Sequence, residues 1–84
     1  MYEVLLSARA ERDLRRLSAD LFHRIIEEAK ALSTTPRPQG CRKLIGSDRD
    51  HRIRVGDYRV IYEVDDMTRT VTIMRIRHRR EAYR

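Results

Sequence analysis

Between Gly40 and Cys41 the spacing of apolar residues changes from helical to alternating, and this change limits the folds open to the chain. Before it, Ala10, Leu14 and Leu17 recur at helical spacing with arginines between them. A longer apolar stripe then runs through Leu21, Phe22, Ile25, Ile26, Ala29 and Leu32. After it, apolar and charged residues alternate, the pattern of strands with one covered face. The eight residues 33–40 hold two prolines and a glycine, which cannot continue a helix.

Local signals place the elements. Residues 2–6 read as a short strand, and Ser7 after them is a good helix N-cap. Ser18 and Asp20 open a second helix, and so short a link between the two helices predicts an antiparallel hairpin. Strands are expected at 42–45, 51–55, 58–64 and 70–77, separated by turns at 46–50, 56–57 and 65–68. Residues 78–84 read as a helical turn. The expected architecture is α+β in one domain, residues 1–84. It comprises an N-terminal strand, an antiparallel helix hairpin and a four-strand antiparallel meander, with the helices on one sheet face.

The basic residues are almost all arginine. Of 19 Lys and Arg only Lys30 and Lys43 are lysine, leaving 17 arginines within a net charge of +6. Residues 1–40 carry seven basic and six acidic side chains, and residues 41–84 carry twelve and seven, so the excess is +1 in the first part and +5 in the second. Arginine's planar fork binds phosphate bidentately and stays charged, so the strand-rich half is the expected anion-binding half. No apolar run is long enough to span a bilayer, and the N-terminus lacks a signal-peptide pattern, so a cytosolic protein with no membrane partner is expected. The single cysteine, Cys41, suits a reducing compartment and reads as structural.

The two-residue turn Gly56-Asp57 lets a register be written down. It pairs Val55 with Tyr58, Arg54 with Arg59, Ile53 with Val60, and Arg52 with Ile61. Ile53, Val55, Tyr58, Val60 and Tyr62 then share the core face, while Arg52, Arg54 and Arg59 share the opposite, solvent face with Ile61 and Glu63. Like charges facing each other across a ladder are destabilising, so Arg54 opposite Arg59 points to a face built to hold an anion. A second basic cluster, Arg75, Arg77, Arg79 and Arg80, accompanies His78 and Tyr83 near the end. His78 has a pKa suited to proton transfer and Tyr83 offers a ring for base stacking. His51 is a weaker proton-transfer candidate. Metal-binding motifs and glycine-rich phosphate loops are absent from the sequence, so no metal or cofactor is expected.

Over essentially its whole length the chain resembles the RelE branch of the RelE/ParE toxin superfamily. The resemblance rests on Tyr2-Glu3-Val4 with Ala8, Glu11, Leu14 and Leu17, on Pro36, and on Lys43-Leu44 with Gly46. Its most specific stretches are Arg52 through Val64 and the ending His78-Arg79-Arg80-Glu81-Ala82-Tyr83-Arg84. The resemblance implies a metal-independent, ribosome-dependent endoribonuclease that cuts mRNA by attack of a 2′-OH on the neighbouring phosphate. It also implies a cognate acidic RelB-like antitoxin, with operator DNA engaged only through the toxin–antitoxin complex. Arg52, Arg54, Arg59, Arg79 and Tyr83 fall on functional positions of the family. His78 joins them as a catalytic candidate, and Lys43, Arg75, Arg77 and Arg80 as candidate phosphate contacts. Where this chain has Arg52 and Arg54, some members have lysines. Arginine cannot readily act as a base, so these two are expected to bind phosphate and stabilise developing charge. Two other functions fit the same fold: gyrase inhibition, as in the ParE branch, and a non-enzymatic nucleic-acid-binding or co-repressor role. The His-Arg-x-x-x-Tyr ending favours the ribonuclease.

Overall fold

The computed structural model describes residues 1–44, 46 and 49–80. Strand β1 (Glu3–Leu6) leads into helices α1 (Ala8–Arg15) and α2 (Ala19–Ala31). Strands β2 (Arg42–Lys43), β3 (Asp50–Val55), β4 (Tyr58–Asp65) and β5 (Thr70–His78) follow. Both expected helix caps form: Ser7 Oγ accepts from the Ala10 amide at 3.1 Å, and Ser18 Oγ from the Leu21 amide at 3.3 Å. Strand β2 is shorter than the expected 42–45; the Leu44 amide still bonds Asp50 O at 2.9 Å, and Ile45 lies outside the described residues. The expected helical turn at 78–84 divides: His78 ends β5, Arg79 and Arg80 form a turn, and 81–84 lie outside the described residues.

The sheet order is β1-β5-β4-β3-β2. The last four strands form the expected antiparallel meander, and β1 adds to its far edge parallel to β5, making a mixed sheet. The helix hairpin therefore carries the chain from one edge strand to the other across a single face, with α1 against β5 and α2 against β3. Ala10, Leu14, Ile25, Ala29 and Leu32 from the helical segment meet Ile53, Val55, Val60, Tyr62, Val64, Val71, Ile73 and Ile76 from the sheet. Full burial of an aliphatic side chain such as Ile25, Leu32 or Ile73 stabilises by about 1.5–3 kcal/mol. Six positions of α2 and its cap form the apolar stripe, yet the sheet covers only part of it. Ile25, Ala29 and Leu32 are buried, whereas Phe22 remains exposed and meets His23 edge to face.

Tyr62 is wholly buried, and its hydroxyl donates to Pro36 O at 2.8 Å, tying the 33–40 loop to the sheet. Burial, with Cys41 beside it, pushes the phenol's pKa well above the ordinary tyrosine value. Cys41 packs against this core as the structural residue its sequence context suggested. At the same end, Asp66 accepts from Tyr2 Oη at 2.6 Å and bidentately from Arg37 at 2.8 and 3.2 Å.

Candidate active site

The Gly56-Asp57 turn, with Gly56 at φ 61°, sets the register expected from its length: Val55↔Tyr58, Arg54↔Arg59, Ile53↔Val60 and Arg52↔Ile61. Arg52, Arg54 and Arg59 consequently share the sheet face turned away from the helices. The neighbouring strands extend this set. Arg77 of β5 pairs with Arg59, and Arg42 of β2 pairs with Arg52. Two transverse rows result: Arg54–Arg59–Arg77 across β3, β4 and β5, and beside it Arg42–Arg52–Ile61 across β2, β3 and β4.

Arg77 reaches this face because β5 carries a bulge. Tyr62 pairs with Ile73 and Ile61 with Arg75, so Met74 is an extra residue with no opposite number. Strict alternation from the buried Val71 and Ile73 would turn Arg75 and Arg77 toward the core. The extra residue resets the alternation, so that Ile76 is buried opposite Val60 and Arg77 lies opposite Arg59. Arg42 and Arg77 are the row members hardest to see in sequence, since neither pairing follows from a short turn.

Arg59 occupies the middle of its row and is only 7% exposed, against the expectation that it would project into solvent. Its position accounts for this: the long stems of Arg54 and Arg77 flank it on both neighbouring strands. Arg54 is exposed, while Arg52 and Arg77 are half-buried. Arg42, Arg52, Arg54 and Arg59 line, together with Gly40, a concavity of about 350 Å³ with no carboxylate in its lining. An adjoining concavity of about 420 Å³ shares Arg42 and Arg52 and adds Lys43 and Leu44.

The second expected cluster divides. Arg75 lies at the bulge, where its Nε donates to Asp13 Oδ2 of α1 at 2.9 Å, so it belongs with α1 rather than with the phosphate candidates at the chain end. Burial raises the Asp13 pKa, but hydrogen bonds from Arg75 and the Ile76 amide outweigh it and hold the carboxyl below its usual value. His78 follows Arg77 and faces the other side of the sheet. Its ring packs edge-on against Tyr58 at 5.2 Å, and its Nδ1 accepts the Arg80 amide at 3.3 Å. His78, Arg79 and Arg80 line a further concavity of about 510 Å³ with Asp57. Asp57 was not singled out in the sequence, yet it anchors this end: its carbonyl accepts the Arg79 amide at 2.8 Å and its carboxylate lies 4.0 Å from Arg79 Nη1. Tyr83 lies outside the described residues.

His51, the weaker proton-transfer candidate, is buried in the core. It stacks on Tyr62 at 5.7 Å, with Nδ1 2.9 Å from Arg49 O. Among the described residues, no group of three or more His, Cys, Asp or Glu is placed to hold a metal ion, and no helix is long and apolar enough to cross a membrane.

The fold recurs in known proteins. The family model described as the ParE toxin of the type II toxin–antitoxin system, parDE, matches residues 4–83. Toxin RelG of Mycobacterium tuberculosis is 36% identical over 99% of this chain and 97% of its own length, and toxin RelE of the same organism is 36% identical over 99% and 87%. Among solved structures, the archaeal RelE–RelB complex from Pyrococcus horikoshii contains a chain that superposes with TM-score 0.83 at 29% identity, covering 93% of this chain and 94% of that one. The RelBE2 complex of M. tuberculosis gives TM-score 0.79 at 31% identity, covering 92% and 96%. A family match spanning nearly the whole chain and relatives matching along most of their own length agree with the helix hairpin and mixed sheet: this chain belongs to the RelE/ParE toxins of type II toxin–antitoxin systems.

Proposed function

We propose that this toxin is an endoribonuclease that cuts mRNA on the ribosome, with the scissile phosphate held on the arginine rows. The observation carrying this reading is the Arg54–Arg59–Arg77 row beside Arg42 and Arg52, with four of these arginines around one concavity. Guanidinium forks fixed on adjacent strands supply bidentate donors to phosphate oxygens. In the reaction the 2′-oxygen gives up its proton and bonds to the adjacent phosphorus. The bond from phosphorus to the 5′-oxygen breaks, that oxygen takes up a proton, and a 2′,3′-cyclic phosphate and a 5′-OH remain. Negative charge accumulates on the phosphorane oxygens, where donors fixed in advance contribute most; loss of one such donor typically costs about 10²–10³ in rate. Arg79 and Arg80 at the neighbouring end of β5, and Lys43 beside Arg42, are assigned the flanking backbone. Tyr83 is assigned the stacking of a base near the cut.

The assay is single-turnover cleavage on programmed ribosomes with mapping of the new 5′ ends. Arg59→Glu is expected to keep the fold, because it sets a carboxylate between Arg54 and Arg77, and to lower cleavage by about 10² or more. A folded Arg59→Glu protein that cuts at the wild-type rate would remove the arginine rows from the mechanism. The matched family model carries the ParE name, which supports gyrase inhibition as a second reading. Loss of supercoiling by purified gyrase, with mRNA left intact on ribosomes, would favour it.

The RelE relatives were solved in complex with RelB, and this supports an antitoxin partner here. An acidic antitoxin segment lying over the arginine rows would neutralise them and block the phosphate site.

A further inference from the structure

Apart from the arginine rows, the chain carries a second basic cluster on α1. Arg9, Arg12 and Arg16 share one side of the helix and, with Arg75 from the β5 bulge, surround Asp13 in a concavity of about 170 Å³. All five lining residues are charged, four positive and one negative. The single carboxylate is already committed, with Oδ2 accepting from both Arg75 Nε and the Ile76 amide at 2.9 Å. Arg9, Arg12 and Arg16 are exposed, and no carboxylate among the described residues lies within ion-pairing distance of Arg9 or Arg12. Along the helix axis, Arg9 to Arg12 rises about 4.5 Å and Arg12 to Arg16 about 6 Å. Two positions apart on β5, Arg75 and Arg77 thus belong to two separate basic clusters.

From this we infer a second phosphate-binding site, on α1, which grips the backbone of a structured RNA while the arginine rows hold the strand to be cut. The inference rests on the endoribonuclease reading and adds a binding step to it. The composition of the surface selects RNA over a protein. A protein-binding face needs an apolar centre, whereas the exposed face of α1 offers Arg9, Arg12, Arg15, Arg16 and Glu11 with Ala8 as its only apolar residue. Nucleic-acid interfaces are strongly basic and need no such centre.

The test uses 2′-O-methylated RNAs, which bind but cannot be cut, in two sizes: a hairpin of about 30 nucleotides and a single-stranded tetranucleotide. The variant Arg9→Gln/Arg12→Gln/Arg16→Gln changes only exposed side chains, and its unfolding midpoint verifies the fold. Each lost phosphate contact removes about 0.7–0.9 from the slope of log affinity against log salt. Between 50 and 200 mM salt the wild type is therefore expected to lose roughly twenty- to forty-fold more hairpin affinity than the triple variant does. Tetranucleotide affinity, set by the arginine rows, is expected to be unchanged. Equal salt slopes for the two proteins on the hairpin would overturn the α1 site and leave the cleavage reading standing. Equal slopes for RNA with weakened antitoxin binding would assign the face to a protein partner instead. If wild type bound neither RNA, the α1 site would fail, whereas the cleavage reading fails only if programmed ribosomes carry uncut mRNA.

Discussion

Replacing Asp13 by alanine is expected to lower the stability of the fold by about 2–3 kcal/mol, because this carboxylate closes a gap in the sheet. β1 ends at Leu6, so beyond Ile73 the outer edge of β5 has no strand beside it. The bulge at Met74 adds to the problem by stepping the ladder out of register. α1 supplies the missing partners: Ser7 Oγ donates to Met74 O at 2.8 Å, and Asp13 Oδ2 accepts the Ile76 amide at 2.9 Å while also holding Arg75. The Asp13 side chain is 13% exposed and that of Arg75 31%, so the ion pair is partly screened and the amide bond carries much of the effect. A hydrogen bond to a charged group contributes about 1.5–3 kcal/mol, and an amide left unsatisfied costs about 1–3 kcal/mol, two overlapping figures that do not add. Against a total of roughly 4–13 kcal/mol for a chain of this size the loss is large. It corresponds to a fall of roughly 10–20 °C in Tm.

The measurement is urea unfolding of wild type, Asp13→Ala and Asp13→Asn between pH 7 and pH 2. The folded carboxyl is depressed below its unfolded value of about 3.9, so its contribution is complete above pH 4–5 and lost as pH falls through the folded value. Asp13→Asn mimics the protonated form, and its gap from wild type should therefore close on acidification. An Asp13→Ala protein within about 0.5 kcal/mol of wild type at pH 7 would refute the edge-closing role, since that is the range of a neutral surface change. A gap to Asp13→Asn that stays constant with pH would refute the role of its charge.

Deleting Met74 should keep a cooperative unfolding transition, because removal of the extra residue leaves Ile73 and Ile76 on the core face and Arg77 on the other in plain alternation; loss of that transition in circular dichroism on the purified chain would show that the bulge itself is required. His78→Gln is expected to lower single-turnover cleavage severalfold while leaving the shape of its pH profile unchanged, since Nδ1 holds the Arg80 amide and the ring faces away from the arginine rows. Disappearance of a near-neutral titration in that variant would make His78 the proton-transfer group after all. Tyr83→Phe should keep most of the activity and Tyr83→Ala lose most of it if the ring stacks on a base; equal damage would shift the role to the hydroxyl. Antitoxin affinity should fall steeply between 50 and 200 mM salt in a titration of the purified pair, and a flat response would mean that the contact is mainly apolar.

The change of apolar period at Cys41, the two serine caps and the two-residue turn at Gly56 were enough to place the helix hairpin, the meander and the Arg54–Arg59 opposition. All of these depend on residues close together in the chain, where spacing dictates geometry. Arg42 and Arg77 joined the site only through pairings that no short turn fixes. β2 returns to β3 across a longer loop, and the Met74 bulge inserts one unpaired residue into a strand that otherwise reads as simple alternation. The sequence also left open which edge β1 occupies, because a parallel partner needs no local turn. Arg59, with Arg54 and Arg77 opposite it on the two neighbouring strands, is nearly buried, and Arg75 is drawn away from the phosphate candidates by Asp13, 62 positions earlier. Spacing along the chain decides which face of its own strand an arginine takes, whereas packing between distant segments decides which of them become neighbours and how far each is withdrawn from water.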